Sequence, residues 1–89
     1  MAIKSFSDAD TEALYRTGKN RRFVAIASVA TRKLTQLDAA VANSDMGSPP
    51  GNDLKAYDGF WHVRINDQWR LAWIWGADGP EQVKIYDPH

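Results

Sequence analysis

The sequence predicts an α+β domain in which two N-terminal helices pack on one face of a mainly antiparallel sheet, in the order β-α-α-β-β-β-β. Three observations predict it. Apolar residues between Ile26 and Val41 recur at steps of three and four, the pattern of one helix face. The segment 43–52 (NSDMGSPPGN) concentrates prolines and glycines and divides a helical half from a strand-rich half. Beyond it, four runs rich in aromatic and β-branched residues alternate with turn signals. At 89 residues the chain is one domain, 1–89, because two cores would not fit.

Element by element, Ile3-Lys4-Ser5-Phe6 alternates and predicts a short strand. Ser7-x-x-Asp10 resembles a capping box and opens a helix that runs through Glu12, Leu14 and Tyr15. Gly18 suits its left-handed C-terminal cap. A longer helix begins around Arg21 to Phe23. Ile26, Val29, Ala30, Leu34, Leu37 and Val41 form its apolar stripe, with Arg32, Lys33, Gln36 and Asp38 away from the stripe's centre. Strands are predicted over 54–57, 60–65, 69–75 and 82–86. The intervening turns carry Asp-Gly, Asn-Asp and Gly-x-x-Gly-Pro signals.

Composition narrows the function classes. Eleven basic residues balance eleven acidic ones, which argues against a general nucleic-acid coat protein. Their distribution is uneven, and Arg16, Lys19, Arg21 and Arg22 crowd one corner between the helices. That corner is either a solvated surface or a local phosphate-binding patch. The absence of cysteine excludes disulfides and thiolate metal sites, and the two histidines lack metal-ligand spacing, so no metal is expected. The start MAIKSFSDAD has no signal-peptide apolar run, and the longest apolar stretch, Phe23 to Ala27, is far short of the ~20 residues of a membrane span. The expectation is a cytoplasmic protein without a membrane segment.

The hairpin from Phe60 to Trp73 is the most informative stretch. A two-residue Asn66-Asp67 loop would scatter apolar groups over both faces. A three-residue Asn66-Asp67-Gln68 loop instead opposes Ile65 with Trp69, Val63 with Leu71 and Trp61 with Trp73, gathering them on one face. That register leaves His62, Arg64, Arg70 and Ala72 on the other, open face. Arg64 and Arg70 then sit directly across from each other and repel. Either an anion binds them, for which the planar guanidinium fork suits phosphate, or Asp58, Asp67 or Asp87 neutralises them. After the last strand, Tyr86-Asp87-Pro88-His89 brings a phenol, a carboxylate and an imidazole together. Imidazole is suited to moving protons near neutral pH, and Asp87 is placed to orient it. Lys55, on the first strand after the breaker segment, supplies a further cation.

Three strings together resemble the HigB-like branch of the RelE toxin family, the plasmid-maintenance killer proteins of type II toxin–antitoxin systems. They are Leu54-Lys55, residues 61–71 (WHVRINDQWRL) and residues 83–89 (VKIYDPH). Ile3 to Phe6 and the helix segment Ala30 to Ala40 extend the likeness over nearly the whole chain. The resemblance implies a compact RelE-like fold and a toxin that enters the ribosomal A site. There such toxins cleave mRNA by attack of the ribose 2′-hydroxyl on the adjacent phosphate, without metal or organic cofactor. It further implies the 70S ribosome and mRNA as partners, and a cognate HigA-like antitoxin with an Xre-type helix-turn-helix.

Carried over position by position, the resemblance makes Lys55 a phosphate-neutralising cation and Arg70 the stabiliser of the pentavalent transition state. His89 becomes the general acid or base, with Asp87 positioning it or sharing the role. Gln68 and Arg64 become RNA contacts. Tyr86 stands as a substitute for the family's terminal tyrosine, and the corner residues Lys19, Arg21 and Arg22 are RNA-contact candidates on their charge alone. Two features depart from the family pattern. Pro88 stands where Tyr is usual, and Tyr86, earlier on the strand, is expected to project elsewhere. The net charge is zero, where these toxins are often basic. The other reading of the same fold is a non-catalytic protein that binds ribosome, RNA or antitoxin.

Overall fold

The structure, a computed structural model, describes residues 2–89. Helix α1 (Ala9–Thr17) and helix α2 (Ala27–Ala39) precede four strands: β1 (Lys55–Tyr57), β2 (Phe60–Arg64), β3 (Arg70–Gly76) and β4 (Gly79–Tyr86). The strands form one antiparallel meander in the order β1-β2-β3-β4. The α+β architecture is the predicted one. No helix among the described residues is long and apolar enough to cross a membrane.

The β2–β3 register is the three-residue-loop register. Trp61 pairs with Trp73, His62 with Ala72, Val63 with Leu71 and Arg64 with Arg70. No loop residue takes a left-handed conformation. Instead the Asn66 side chain accepts hydrogen bonds from the backbone N–H groups of Gln68 and Trp69, at 2.9 and 2.7 Å. The Ile65 N–H closes the loop on the Trp69 carbonyl at 3.0 Å. The β1–β2 turn is tighter, with Asp58 (φ 54°) and Gly59 (φ 83°) both left-handed, as a two-residue primed turn requires.

The register sorts the core. Val63, Leu71, Trp73, Val83 and Ile85 are buried against Leu14, Phe23, Ile26, Ala30, Leu34 and Leu37 of the helical layer, and Met46 closes one end. The N-terminal segment runs parallel beside β4, and among the described residues only Phe6 makes a bridge, to Val83. Strand β4 bulges beside it. Gln82 is left-handed (φ 52°), and the β3–β4 register shifts between Ala72 and Ile74. Two serines hold the bulge: Ser5 Oγ accepts from the Gln82 N–H, and Ser7 Oγ donates to its carbonyl.

Three local expectations are corrected. The cap of α1 is Asp8 rather than Ser7, because Asp8 accepts both the Thr11 N–H (2.7 Å) and the Thr11 hydroxyl (3.0 Å). Helix α2 is preceded by a 3-10 segment, Arg21–Ile26, and ends at Ala39, so Val41 lies beyond the stripe and is exposed. Asp45 takes the Val41 and Ala42 N–H groups and starts the next turn. Lys33 is buried, because segment 43–52 folds back over its flank of α2. Its ammonium donates to Asn52 Oδ1, while Asn52 Nδ2 donates to the carbonyls of Met46 (3.0 Å) and Ser48 (3.3 Å). Burial, with Arg32 and Arg64 adding to it, pushes Lys33 below the ordinary lysine range. Trp73 Nε1 donates to Asn43 Oδ1 at 2.7 Å and ties the same segment to the sheet.

Asn52 therefore carries the loop. Asn52→Ala leaves a buried ammonium without its acceptor and is expected to cost about 3 kcal/mol in urea denaturation. The double change Lys33→Met/Asn52→Leu removes the buried ammonium and should be less destabilised than Asn52→Ala, its remaining cost coming from the Met46 carbonyl that loses its donor.

Candidate functional site

The sheet face turned away from the helices is not open, as the sequence suggested. His62 and Ala72 are buried on it, beneath a small aromatic layer. Lys55, Tyr57, His62, Arg70, Tyr86 and Pro88 line a cavity of about 250 Å³ there. Strand pairing places them. Lys55 is opposite His62 across β1–β2, and Arg70 is opposite Tyr86 across β3–β4. His62 and Tyr86 lie two strands apart, roughly 10 Å in the hydrogen-bonding direction. Ala72 on β3 is small enough for the two rings to meet above it, with centroids 5.5 Å apart.

The meeting is a hydrogen bond of 2.6 Å between the Tyr86 hydroxyl and His62 Nδ1. His62 Nε2 lies 2.9 Å from the Tyr57 carbonyl, which only accepts. A neutral His62 ring therefore carries its proton on Nε2 and offers Nδ1 as acceptor to the Tyr86 O–H. Burial raises the Tyr86 pKa above the ordinary phenol value, partly opposed by the neighbouring Arg70 charge. Lys84 Nζ sits 4.1 Å from the Phe60 ring centroid and 4.8 Å from that of Tyr86, bracing the phenol from the side.

The two facing arginines resolve their repulsion differently. Arg64 pairs with Asp67 of the hairpin loop and does not line the cavity. Arg70 has no carboxylate within 4.0 Å among the described residues. Its Nη1 donates instead to the Asn66 and Trp69 carbonyls, which fixes the fork while leaving its charge unneutralised. Lys55 reaches Asp53 at 3.2 Å, but both side chains are exposed and such a pair holds weakly.

Beyond β4, Asp87 gathers the tail. Its carboxylate accepts the His89 backbone N–H (2.9 Å), contacts His89 Nδ1 (2.9 Å) and accepts Gln68 Nε2 (3.2 Å). The His89 N–H is the chief reason its pKa is lowered, followed by the His89 ring and then Gln68. His89 is exposed, and Pro88 supplies the cavity wall. Tyr86, expected to project elsewhere, opens on the same cavity as Pro88. The corner residues lie apart: Lys19 and Arg21 line a separate hollow of about 560 Å³ with Val24 and Ala27. Arg22 stacks on Phe23 and Trp69 and lies 3.9 Å from Asp10.

Of the residues singled out in the sequence, Lys55, Arg70 and Tyr86 are thus brought together, with Gln68, Asp87 and His89 as a second cluster. The sequence reading missed Tyr57 and gave His62 no role. The signal for His62 was its face, shared with Arg70 in the chosen register. No group of three His, Cys, Asp or Glu side chains that could hold a metal forms among the described residues.

Comparison with known proteins points one way. The family model described as RelE-like toxin of type II toxin–antitoxin system HigB matches residues 4–89. Toxin HigB-1 of Vibrio cholerae serotype O1 is 37% identical over 95 residues, covering 100% of this chain and 98% of that toxin.

Asp87 gives the cluster a pH dependence. A carboxylate held below its ordinary value keeps the tail contacts in force above that value and loses them as the pH falls through the lowered one. Carbon-detected NMR titration should give Asp87 a midpoint below that of an unstructured aspartate, with the His89 amide following the same curve. Gln68→Ala should move the Asp87 midpoint upward.

Proposed function

This chain belongs to the HigB family of RelE-like toxins from type II toxin–antitoxin systems, and from that premise we propose that it is a ribosome-dependent endoribonuclease that cleaves mRNA in the A site. The observation that carries the reading is the unneutralised Arg70, fixed by two backbone carbonyls at the wall of a cavity that also holds Lys55 and a phenol. Such a charge at such a wall suits a phosphodiester. The nucleophile is the ribose 2′-hydroxyl of the message itself, so the protein needs only to position the phosphate, absorb charge and move protons. A reaction of that kind leaves a 2′,3′-cyclic phosphate and a 5′-hydroxyl and needs neither a protein nucleophile nor a metal.

Within this reading Arg70 stabilises the charge that accumulates on the pentavalent phosphorus, and Lys55 neutralises the incoming phosphate. Asp87 fixes His89, which takes part in proton transfer. Gln68, Arg64 and Tyr86 contact the RNA, and Lys19, Arg21 and Arg22 supply phosphate contacts outside the cavity. A toxin of this type has an antitoxin partner. We assign it a HigA-like protein with an Xre-type helix-turn-helix, and place both in the cytoplasm with the 70S ribosome.

The test is cleavage of a defined message on translating ribosomes by the purified protein, with both new ends mapped. Codon-register cuts bearing cyclic phosphate and 5′-hydroxyl ends are expected. Arg70→Ala should slow cleavage by at least about 100-fold while thermal unfolding stays cooperative. Ribosome binding without new RNA ends would instead establish a non-catalytic binder of the same fold.

A further inference from the structure

The cleavage reading leaves one assignment open: which group takes the proton from the 2′-hydroxyl and which gives one to the departing 5′-oxygen. Resting on that reading, we propose that Tyr86 and His62 form a relay that accepts the 2′-hydroxyl proton, leaving the Asp87–His89 pair to act as the acid. The relay follows from three facts of placement. Tyr86 and His62 both line the cavity with Arg70 and Lys55, where a scissile phosphate would be held. Its single proton is donated to His62 Nδ1 at 2.6 Å. The Tyr57 carbonyl keeps the proton of the neutral ring on Nε2, so Nδ1 is free to receive another. Pro88 offers no side-chain donor or acceptor at the cavity wall, and the His89 ring is turned to Asp87 in the tail.

The step balances as follows. As the 2′-oxygen forms its bond to phosphorus, its proton passes to the Tyr86 oxygen while the phenol's own proton moves to His62 Nδ1. The phosphorus–O5′ bond breaks, and a protonated His89 ring gives its proton to O5′. After the product leaves, His62 returns its extra proton through Tyr86 to water in the cavity and His89 takes one up, so no net proton is consumed. The phenol passes a proton through without becoming a free phenolate, in keeping with a buried hydroxyl whose pKa is raised. The charged and titratable groups facing the relay are Lys55, Tyr57 and Asp58 from β1 and its turn, Arg70 from β3, and Lys84 from β4 itself. The tail adds Asp87 and His89.

Two variants and a modified message test the relay. Tyr86→Phe removes the conduit. His62→Asn retains a polar acceptor at the Nδ1 position but cannot take up a proton. Each should slow single-turnover cleavage on saturating ribosomes by about 100-fold. A message with sulfur replacing the bridging 5′-oxygen supplies a leaving group that needs no proton. It should restore His89→Ala to within about tenfold of the parent and leave Tyr86→Phe and His62→Asn slow. If the parent cleaves but His62→Asn cleaves equally well, or if sulfur rescues Tyr86→Phe, the relay is wrong while the nuclease reading stands. If the parent cleaves no message at all, both fall. Should Tyr86→Phe not fold, His62→Asn with the two messages decides alone.

Discussion

The pairing of β2 with β3 in a three-residue-loop register is the constraint on which the rest of this structure depends. Asn66 enforces it by holding the Gln68 and Trp69 amides, so that Ile65 closes on Trp69 and every later pair follows. With that register, Val63, Leu71 and Trp73 fill the core, while His62 and Arg70 fall on the far face. A slip by one residue would exchange the two sets and destroy core and site together. The same loop also holds the site's main charge, since the carbonyls of Asn66 and Trp69 anchor Arg70. Fold and chemistry therefore share one turn.

Electrostatics at the site rest on an asymmetry. Two arginines opposed across a strand pair repel, and the protein resolves this by neutralising only one of them. Arg64 is answered by Asp67, three positions along the hairpin, and turns out of the cavity. Arg70 is answered by carbonyl dipoles, which orient a guanidinium without cancelling its charge. A phosphodiester entering the cavity would complete the pairing that the chain leaves unfinished.

Much of this was legible in the sequence, and the reasons are physical. Alternation from Trp61 to Trp73 fixed which side chains share a face, because only one loop length sorts them. Arg70 could therefore be named in advance from the register, and Lys55 from the resemblance, whereas the place of Tyr86 at the same cavity was not foreseen. What escaped were contacts between residues far apart in sequence. His62 meets Tyr86 only because β4 returns beside β3 and Ala72 leaves the space between them, and neither hairpin alone encodes that encounter. Lys33 sits on the polar side of its helix by periodicity, yet segment 43–52 folds over it and brings Asn52 to its ammonium. The Asp8 cap was missed for a smaller reason: Ser7 and Asp8 are both good caps, and the choice fell to Thr11, whose amide and hydroxyl both suit a carboxylate.

The chain belongs to the HigB family, and the far sheet face gathers Lys55, Arg70 and a buried His62–Tyr86 contact at the end of a meander, where the proposed cleavage would take place. The most direct measurement is a structure of the protein on a ribosome whose A-site codon carries 2′-O-methyl groups, which hold the message intact. The account predicts the scissile phosphate between Lys55 and Arg70, with the Tyr86 hydroxyl beside the blocked 2′-oxygen. A message bound against Lys19, Arg21 and Arg22, with the cavity unoccupied, would contradict it.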